Sequence, residues 1–494
     1  MVRILLLLCL STCESTWAIF DSAPIHVVDD DSLLNVFRLY RLLFLGLDDD
    51  DEDYFKVGKQ QWVGECWWYN LTHVCQRWRN LIYRSASYLR LSLCCTIGTP
   101  FAYMLVHSPP LPLVINYDEE FSDVTIDDEE RAIFALKQRD RMRRVRFSMH
   151  SATLRKLIVA IEEEFPNLED LIIWSWSGDF TTLVAFPETF HAPNLRHLAL
   201  VGFTLPIGCR LLTNATRLIT LCLFMTHPSI YVHPNTLLQW LSFMPQLETL
   251  NINFFLLPDG DVEMQLTHAP VMTHVTLPNL HHFSFQGQST YLDALVHRIT
   301  PCPKKLEISF PSQNTFSVPC LPQFMETRDR KLESAKFKFC RWKVSAAVYP
   351  RGEAEMYALS IAVTPSSWDL NWQASSVAQI SNLFGQIFAA VERLTLELTD
   401  GVGLESLDVE HYGINLIEWR QLFSLFSNMK TLRIDNSLVK EVSRYLESND
   451  GEFPIELLPE LQELICHGSC DTSDTSSFIR ALQNPGRPIT LTRC

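Results

Sequence analysis

Phe165-Pro-Asn-Leu-Glu-Asp-Leu-Ile-Ile173 is the stretch on which the fold turns. Its pattern is Pro-x-Leu-x-x-Leu-x-apolar. The second leucine and the apolar residue after it alternate, so both point to one face of a short strand. The first leucine fills the corner where the chain turns into that strand. The phrase returns at Ala192–Leu200, Met244–Ile252, Leu277–Phe285 and Leu458–Cys466. Weaker copies stand at Arg217–Leu223, Lys304–Phe310, Glu392–Leu398 and Asn428–Ile434, with degenerate ones around Val145, Phe337 and Leu359.

The central strand residues are then Val145, Leu171, Leu198, Leu221, Leu250, Phe283, Leu306, Phe337, Leu359, Leu394, Leu432 and Leu464. Their spacing averages about 29 residues, at the long end of the leucine-rich-repeat range. Helical stretches such as Asn235–Phe243 and Tyr291–Ile299 fall between the strands. One such unit cannot bury its own apolar face, so stacked units share a core. The expected fold over 98–494 is an α/β solenoid, a leucine-rich-repeat-like horseshoe with parallel inner strands and outer helices. The leucines are core. Ligand contacts are expected on the alternating residues: Asp170, Ile172 and Trp174; His197, Ala199 and Val201; Thr220, Cys222 and Phe224; Thr249, Asn251 and Asn253; His282, Ser284 and Gln286. Ile172, Trp174, His197, Phe224, Asn251, Asn253 and His282 are the candidate substrate-binding residues, a mixture of aromatic, amide and imidazole groups suited to a protein ligand.

Ahead of the repeats, residues 23–97 read as a small all-α module. Asp29 to Asp31 and Ser32 suit a helix start. Leu33, Val36, Phe37 and Tyr40 then share one helical face. A second helical face carries Leu71, Val74, Cys75, Trp78, Leu81 and Ile82. Between them lies an acidic insertion, 46–61, whose run Asp48–Asp53 repels itself and should be solvated. Two apolar faces on so short a segment are expected to leave one open for docking. Pro100, Pro109, Pro110 and Pro112 place a boundary near residue 97.

The chain of 494 residues has a formal net charge of −16, which argues against nucleic acid as a partner. Its 14 cysteines have neither disulfide-framework nor zinc-site spacing. They read as buried apolar residues of a reducing compartment. No phosphate-binding glycine loop, nucleophile elbow or metalloprotease signature occurs, so neither an enzymatic activity nor a cofactor is expected. His281 and His282 point to opposite sides of a strand and make a poor metal pair. Glu162 to Glu164 read as a solvated helix end. The basic run Arg139, Arg141, Arg143, Arg144 and Arg146 reads as an outer face paired with the acidic residues 127–130, the other reading being a grip on a phosphorylated ligand. Residues 1–22 form an apolar leader whose run Ile4–Leu10 is too short to span a bilayer. It reads either as a secretory signal, with Asn70 and Asn214 then as glycosylation acceptors, or as the edge of the first domain.

The first module resembles an F-box. Val28-Asp-Asp-Asp-Ser-Leu-Leu-Asn-Val-Phe37 is similar to the F-box opening, and His73-Val-Cys-Gln-Arg-Trp-Arg-Asn-Leu81 to its Val-Cys-x-x-Trp-x-x-Leu signature. Asp29 stands where the family usually has proline, and the loop between the signatures is longer and more acidic than usual. With the repeats behind it, the whole is similar to the F-box/leucine-rich-repeat-like proteins of mushroom-forming fungi. The resemblance implies that Leu33, Leu34, Val36, Phe37, Val74, Cys75, Trp78 and Leu81 contact or support a Skp-type adaptor, and through it a cullin. The protein would then be a cytoplasmic or nuclear substrate receptor of an SCF-type ubiquitin ligase, with an unknown protein as substrate. The alternative is a secreted or surface leucine-rich-repeat binding protein.

Overall fold

The computed structural model describes residues 28–45, 67–119, 124–161, 163–176, 183–227, 230–254, 273–311, 313, 316–326, 332–340, 343–351, 357–364, 370–398, 422–435, 438–439, 458–467 and 489–493. The apolar leader and the acidic insertion lie outside them. The chain divides into two compact units, which meet in sequence at His197/Leu198, with Cys209–Leu211 belonging to the first.

The first unit opens with helices α1 (Asp30–Leu45), α2 (Trp67–Leu71) and α3 (Gln76–Arg84). Asp29 caps α1, accepting from the Ser32 N–H at 2.9 Å. Cys75 caps α3 through its sulfur, which accepts from the Trp78 N–H at 3.5 Å. Both α2 and α3 pack on α1. Phe37 and Trp78 meet edge to face with ring centres 4.9 Å apart, and both are buried. Arg77 locks the pair from outside, donating to Asp30 Oδ1 at 2.7 Å and to the Val28 carbonyl at 2.6 Å.

These helices are joined to a sheet. Trp68 is fully buried, and its indole N–H donates to the Ser92 carbonyl at 3.1 Å. Strand β1 (Leu93–Thr96) starts immediately afterwards, inside the stretch read as all-helical. It pairs in parallel with β2 (Leu113–Asp118), which pairs with β3 (Met142–His150), which pairs with β4 (Asp170–Trp176). Helices α4 (Phe101–His107), α5 (Ile126–Leu136) and α6 (Ser151–Ala160) connect them. The Thr125/Asp128 capping box starts α5.

The second unit carries β5 (His197–Val201) from Leu198 onward, His197 belonging to the first unit, then β6 (Thr220–Met225), β7 (Thr249–Phe254), β8 (His282–Gln286), β9 (Lys305–Pro311), β10 (Leu332–Cys340), β11 (Lys343–Pro350), β12 (Leu359–Thr364), β13 (Arg393–Leu398), β14 (Thr431–Asp435), β15 (Glu463–His467) and β16 (Thr490–Arg493). Helices α7 (Pro234–Leu241), α8 (Ser289–Val296), α9 (Cys320–Glu326), α10 (Leu370–Leu383) and α11 (Gly385–Ala389) lie between strands. Pro234 at the first turn and the His233 ring, which accepts from the Asn235 N–H at 3.2 Å, start α7 just before the expected position.

The strands are in register on the expected residues. Val145 pairs with Leu171, Leu250 with both Leu221 and Phe283, Phe283 with Leu306, and Leu432 with both Leu394 and Leu464. The leading residues Leu168, Leu195, Leu218, Leu247, Leu280 and Leu461 are buried. Burial of a side chain of this size contributes about 1.5–3 kcal/mol, and three or so recur per repeat. Within each unit the repeats are α/β elements that share an apolar layer.

The asparagine of the Pro-Asn-Leu phrase has its own task. Asn194 Nδ2 donates to the Pro166 carbonyl at 2.6 Å, Asn167 to the Asp140 carbonyl at 2.6 Å and Asn279 to the Pro245 carbonyl at 3.3 Å, and in the weaker copy Ser427-Asn428-Met429 Asn428 donates to the Ala389 carbonyl at 2.8 Å. Each satisfies a turn carbonyl of the repeat before it, a group that the strand ladder cannot reach.

One expectation fails. The copies around Phe337 and Leu359 are not successive parallel repeats. The strand order in the second unit is β5-β6-β7-β8-β9-β12-β11-β10-β13-β14-β15-β16. The chain leaves β9, skips two places to lay down β10, and returns through antiparallel β11 to β12 beside β9. Leu306 therefore pairs with Leu359, and Phe337 aligns with Leu396 rather than Leu394.

Candidate binding faces

In each unit one side of the sheet is the apolar core, and the alternate residues form the other. In the first unit the alternate rows across the strands are Val114–Arg144–Asp170, Asn116–Arg146–Ile172 and Asp118–Ser148–Trp174. Arg144 Nε lies 2.7 Å from Asp170 Oδ2, Arg146 lies 3.9 Å from Asp118, and His197 Nε2 lies 3.8 Å from Asp170 Oδ1. Burial lowers the His197 pKa from its ordinary value, and the Asp170 charge opposes this without reversing it. His197 is thus neutral at pH 7 and able to donate or accept. Ile172 and Trp174 are half-buried on the same face.

The basic run is paired, but not with residues 127–130. Arg139 binds Glu163, and Arg143 binds Glu169 at 2.8 Å. Arg141 donates to the Leu111 carbonyl at 3.0 Å. Sheet register explains this: a strand residue meets the next strand, whereas Asp128 is used to cap α5 and Glu129 holds Lys156 at 2.7 Å. Glu163, read as part of a solvated helix end, is half of an ion pair.

In the second unit the rows are Thr220–Thr249–His282–Lys305, Cys222–Asn251–Ser284–Glu307–Ser360 and Phe224–Asn253–Gln286–Ser309–Ala362. Phe224, Asn251, Asn253 and His282 are half-buried, as a wall facing a ligand would be. Asn253 Nδ2 donates to Gln286 Oε1 at 3.3 Å, while the Asn253 carbonyl oxygen has no hydrogen-bond partner among the described residues. Thr220, Cys222 and Ala199 do not belong to an open face: each is buried, as short side chains standing in register beside longer ones are.

Sequence reasoning missed a polar cluster next to this row. Glu307 accepts a hydrogen bond from the Tyr357 hydroxyl, has His282 Nε2 at 3.4 Å and Lys305 Nζ at 3.1 Å, and Lys305 also lies 5.1 Å from the centre of the Tyr357 ring. Burial alone would raise the Glu307 pKa; hydrogen bonds from His282 and Tyr357 and the Lys305 charge outweigh it and hold the carboxyl at about 2. A carboxylate so surrounded is an anchor for its neighbours and a poor proton acceptor. Only Glu307 itself, at the alternate position after Lys305, hinted at the cluster in the sequence; Tyr357, distant in sequence, precedes β12, the strand that returns beside β9.

No protein-family model matches the chain, and no curated protein matches it. Among solved structures, the leucine-rich repeat-containing protein LegL7 from Legionella pneumophila aligns at 13% identity over 79% of this chain and 97% of its own, with a TM-score of 0.26.

The adaptor-side residues separate into two sets. Leu33, Phe37 and Trp78 are buried inside the first unit, so these three are not an open docking face. Leu34, Val36, Cys75 and Leu81 are partly exposed, and Val74 is 48% exposed. Leu39, on α1, is 49% exposed. Among the described residues no helix is long and apolar enough to cross a membrane, and no group of His, Cys, Asp or Glu could hold a metal ion. Burial pushes the Cys222 thiol up to about 12 and the Cys95 thiol up to about 11, so both stay protonated and unreactive.

Proposed function

We propose that the chain is a non-catalytic receptor that holds a target protein on its sheet faces and docks through its N-terminal helices on a Skp-type adaptor, and through that on a cullin. It would thus be the substrate-recognition subunit of an SCF-type ubiquitin ligase, acting in the cytoplasm or nucleus. The observation that carries the receptor reading is the run of half-buried amide, hydroxyl, imidazole and aromatic side chains in register across neighbouring strands, centred on Asn251, Asn253, Ser284, Gln286 and His282. Amides both donate and accept, so such rows complement a polypeptide surface. Exposed Leu39 and Val74 on and beside α1 and α3, together with the F-box-like signatures around them, support the adaptor reading. The thiols of Cys75, Cys95, Cys222 and Cys320, which form no disulfide among the described residues, suit a reducing compartment.

The test is capture of a purified Skp-type adaptor by the full chain, with Leu39→Asp and Val74→Asp as variants that leave the buried Phe37–Trp78 pair alone. Adaptor binding by the parent and at least tenfold weaker binding by the variants is the expected result. No binding by folded parent protein would remove the ligase role. The secreted binding protein would then take its place, with Asn70 and Asn214, both exposed, as glycan sites.

A further inference from the structure

A cleft of about 490 Å³ lies in the first unit, lined by Ser87, Arg90, Leu91, Leu111, Arg143 and Arg196 among others. Its walls come from separate parts of the fold. Ala86 to Leu91 follow α3, Pro110 to Pro112 precede β2, and Arg143 and Arg196 stand at the starts of β3 and β5. The volume is that of a small-ligand site.

The charge in the cleft is unbalanced. Arg143 is neutralised by Glu169 at 2.8 Å. Arg90 and Arg196 have no ion-pair partner among the described residues, in a chain whose net charge is −16. The wall is also held fixed. Arg141 donates to the Leu111 carbonyl at 3.0 Å, tying down the loop between Pro110 and Pro112. Arg90 has φ +51°, and Leu91 N–H reaches back to the Ala86 carbonyl at 2.9 Å across that turn. This closing position of a helical turn favours glycine, and an arginine there is strained. Strain of this kind collects at ligand sites.

We propose that this cleft binds a phosphomonoester carried on an apolar group. Two uncompensated guanidinium groups match the charge of about −2 on a phosphomonoester at neutral pH. Each guanidinium can engage phosphate oxygens with two parallel N–H donors, which a point-charge lysine cannot reproduce. Leu91, Leu111 and the prolines supply the apolar wall. The site goes beyond the receptor reading and stands whether or not the sheet faces hold a protein.

Calorimetric titration of the full chain at low salt tests it, with phenyl phosphate as the probe and benzyl alcohol as the neutral control. Saturable phenyl phosphate binding is expected, at least tenfold weaker in Arg196→Gln and in Arg90→Gly, with none for benzyl alcohol. Arg90→Gly should at the same time raise the melting temperature by relieving the left-handed turn, so its loss of binding cannot come from misfolding. A phosphotyrosine peptide distinguishes the two sources of the group: tenfold tighter binding than phenyl phosphate assigns a phosphorylated polypeptide, and equal binding assigns a free small molecule. Absence of saturable binding by folded protein, or equal affinity in parent and both variants, overturns the proposal.

Discussion

Removing the indole of Trp78 should unfold the N-terminal helices rather than expose a weaker docking surface. Trp78 is 3% exposed and meets the equally buried Phe37 edge to face at 4.9 Å. Truncation of a buried tryptophan to alanine costs about 3–5 kcal/mol, and the ring–ring contact accounts for about 0.5–1.5 kcal/mol of that beyond area burial. The sulfur cap of Cys75 on the Trp78 N–H is a backbone contact and survives the change. At about 4 kcal/mol the local opening equilibrium shifts by about a thousandfold. A global melt would blur this across a chain of several cooperative parts. Native-state hydrogen exchange of peptides covering 67–84 is therefore the assay, and Trp78→Ala should raise exchange there by at least a hundredfold while leaving peptides over β7 to β9 unchanged. A Phe37→Ala/Trp78→Ala double-mutant cycle should give a coupling of about 0.5–1.5 kcal/mol. If Trp78→Ala leaves exchange within threefold of the parent yet abolishes adaptor capture, Trp78 is a surface anchor and the argument from burial is wrong.

Asn194→Ala removes the 2.6 Å hydrogen bond to the Pro166 carbonyl and should destabilise that turn by about 1–2 kcal/mol, read as faster exchange over 163–171. Gly287→Ala would put a Cβ 2.8 Å from the Phe254 ring and 3.0 Å from that of Phe285, both in the core; overpacking of this kind costs about 1–3 kcal/mol, measurable as a lower urea midpoint. Because the Glu307 pKa falls from 4.5 to about 2 on folding, its contribution is full above about pH 4.5 and is lost as pH falls through about 2. Glu307→Gln should accordingly flatten that part of the acid denaturation profile, and an unchanged profile would show that the His282–Lys305–Tyr357 cluster does not depend on the charge.

The repeat was readable because Leu-x-x-Leu-x-apolar encodes a corner and a strand face locally, within one turn of chain. What escaped reading depended on which strand lies next to which. Sequence order placed Phe337 before Leu359, yet an antiparallel return swaps them, and alternation of period two looks the same in either direction. The arginine run gave its charges away, but its partners Glu169, Asp170 and Asp118 are set by sheet register rather than by nearness in sequence. The bond from the asparagine of Pro-Asn-Leu to the previous repeat needs the stacking distance to be known. The helical module misled for a simpler reason. Two apolar faces, each visible as a stripe, were expected to leave one open; their centres, Phe37 and Trp78, close on each other, and Leu39 and Val74 stay exposed at the margins.

The reversed order of β10, β11 and β12 bears on how the chain is made. As it leaves the ribosome, β9 (Lys305–Pro311) emerges long before Leu359–Thr364, its partner on that side. The strands that come out in between belong elsewhere, so for that interval β9 presents an unpaired edge, the kind of surface on which nascent chains cross-pair and aggregate. A truncated form ending between 312 and 358 would keep that edge for good. Expression boundaries are therefore safer after Thr364 than within the reversed segment.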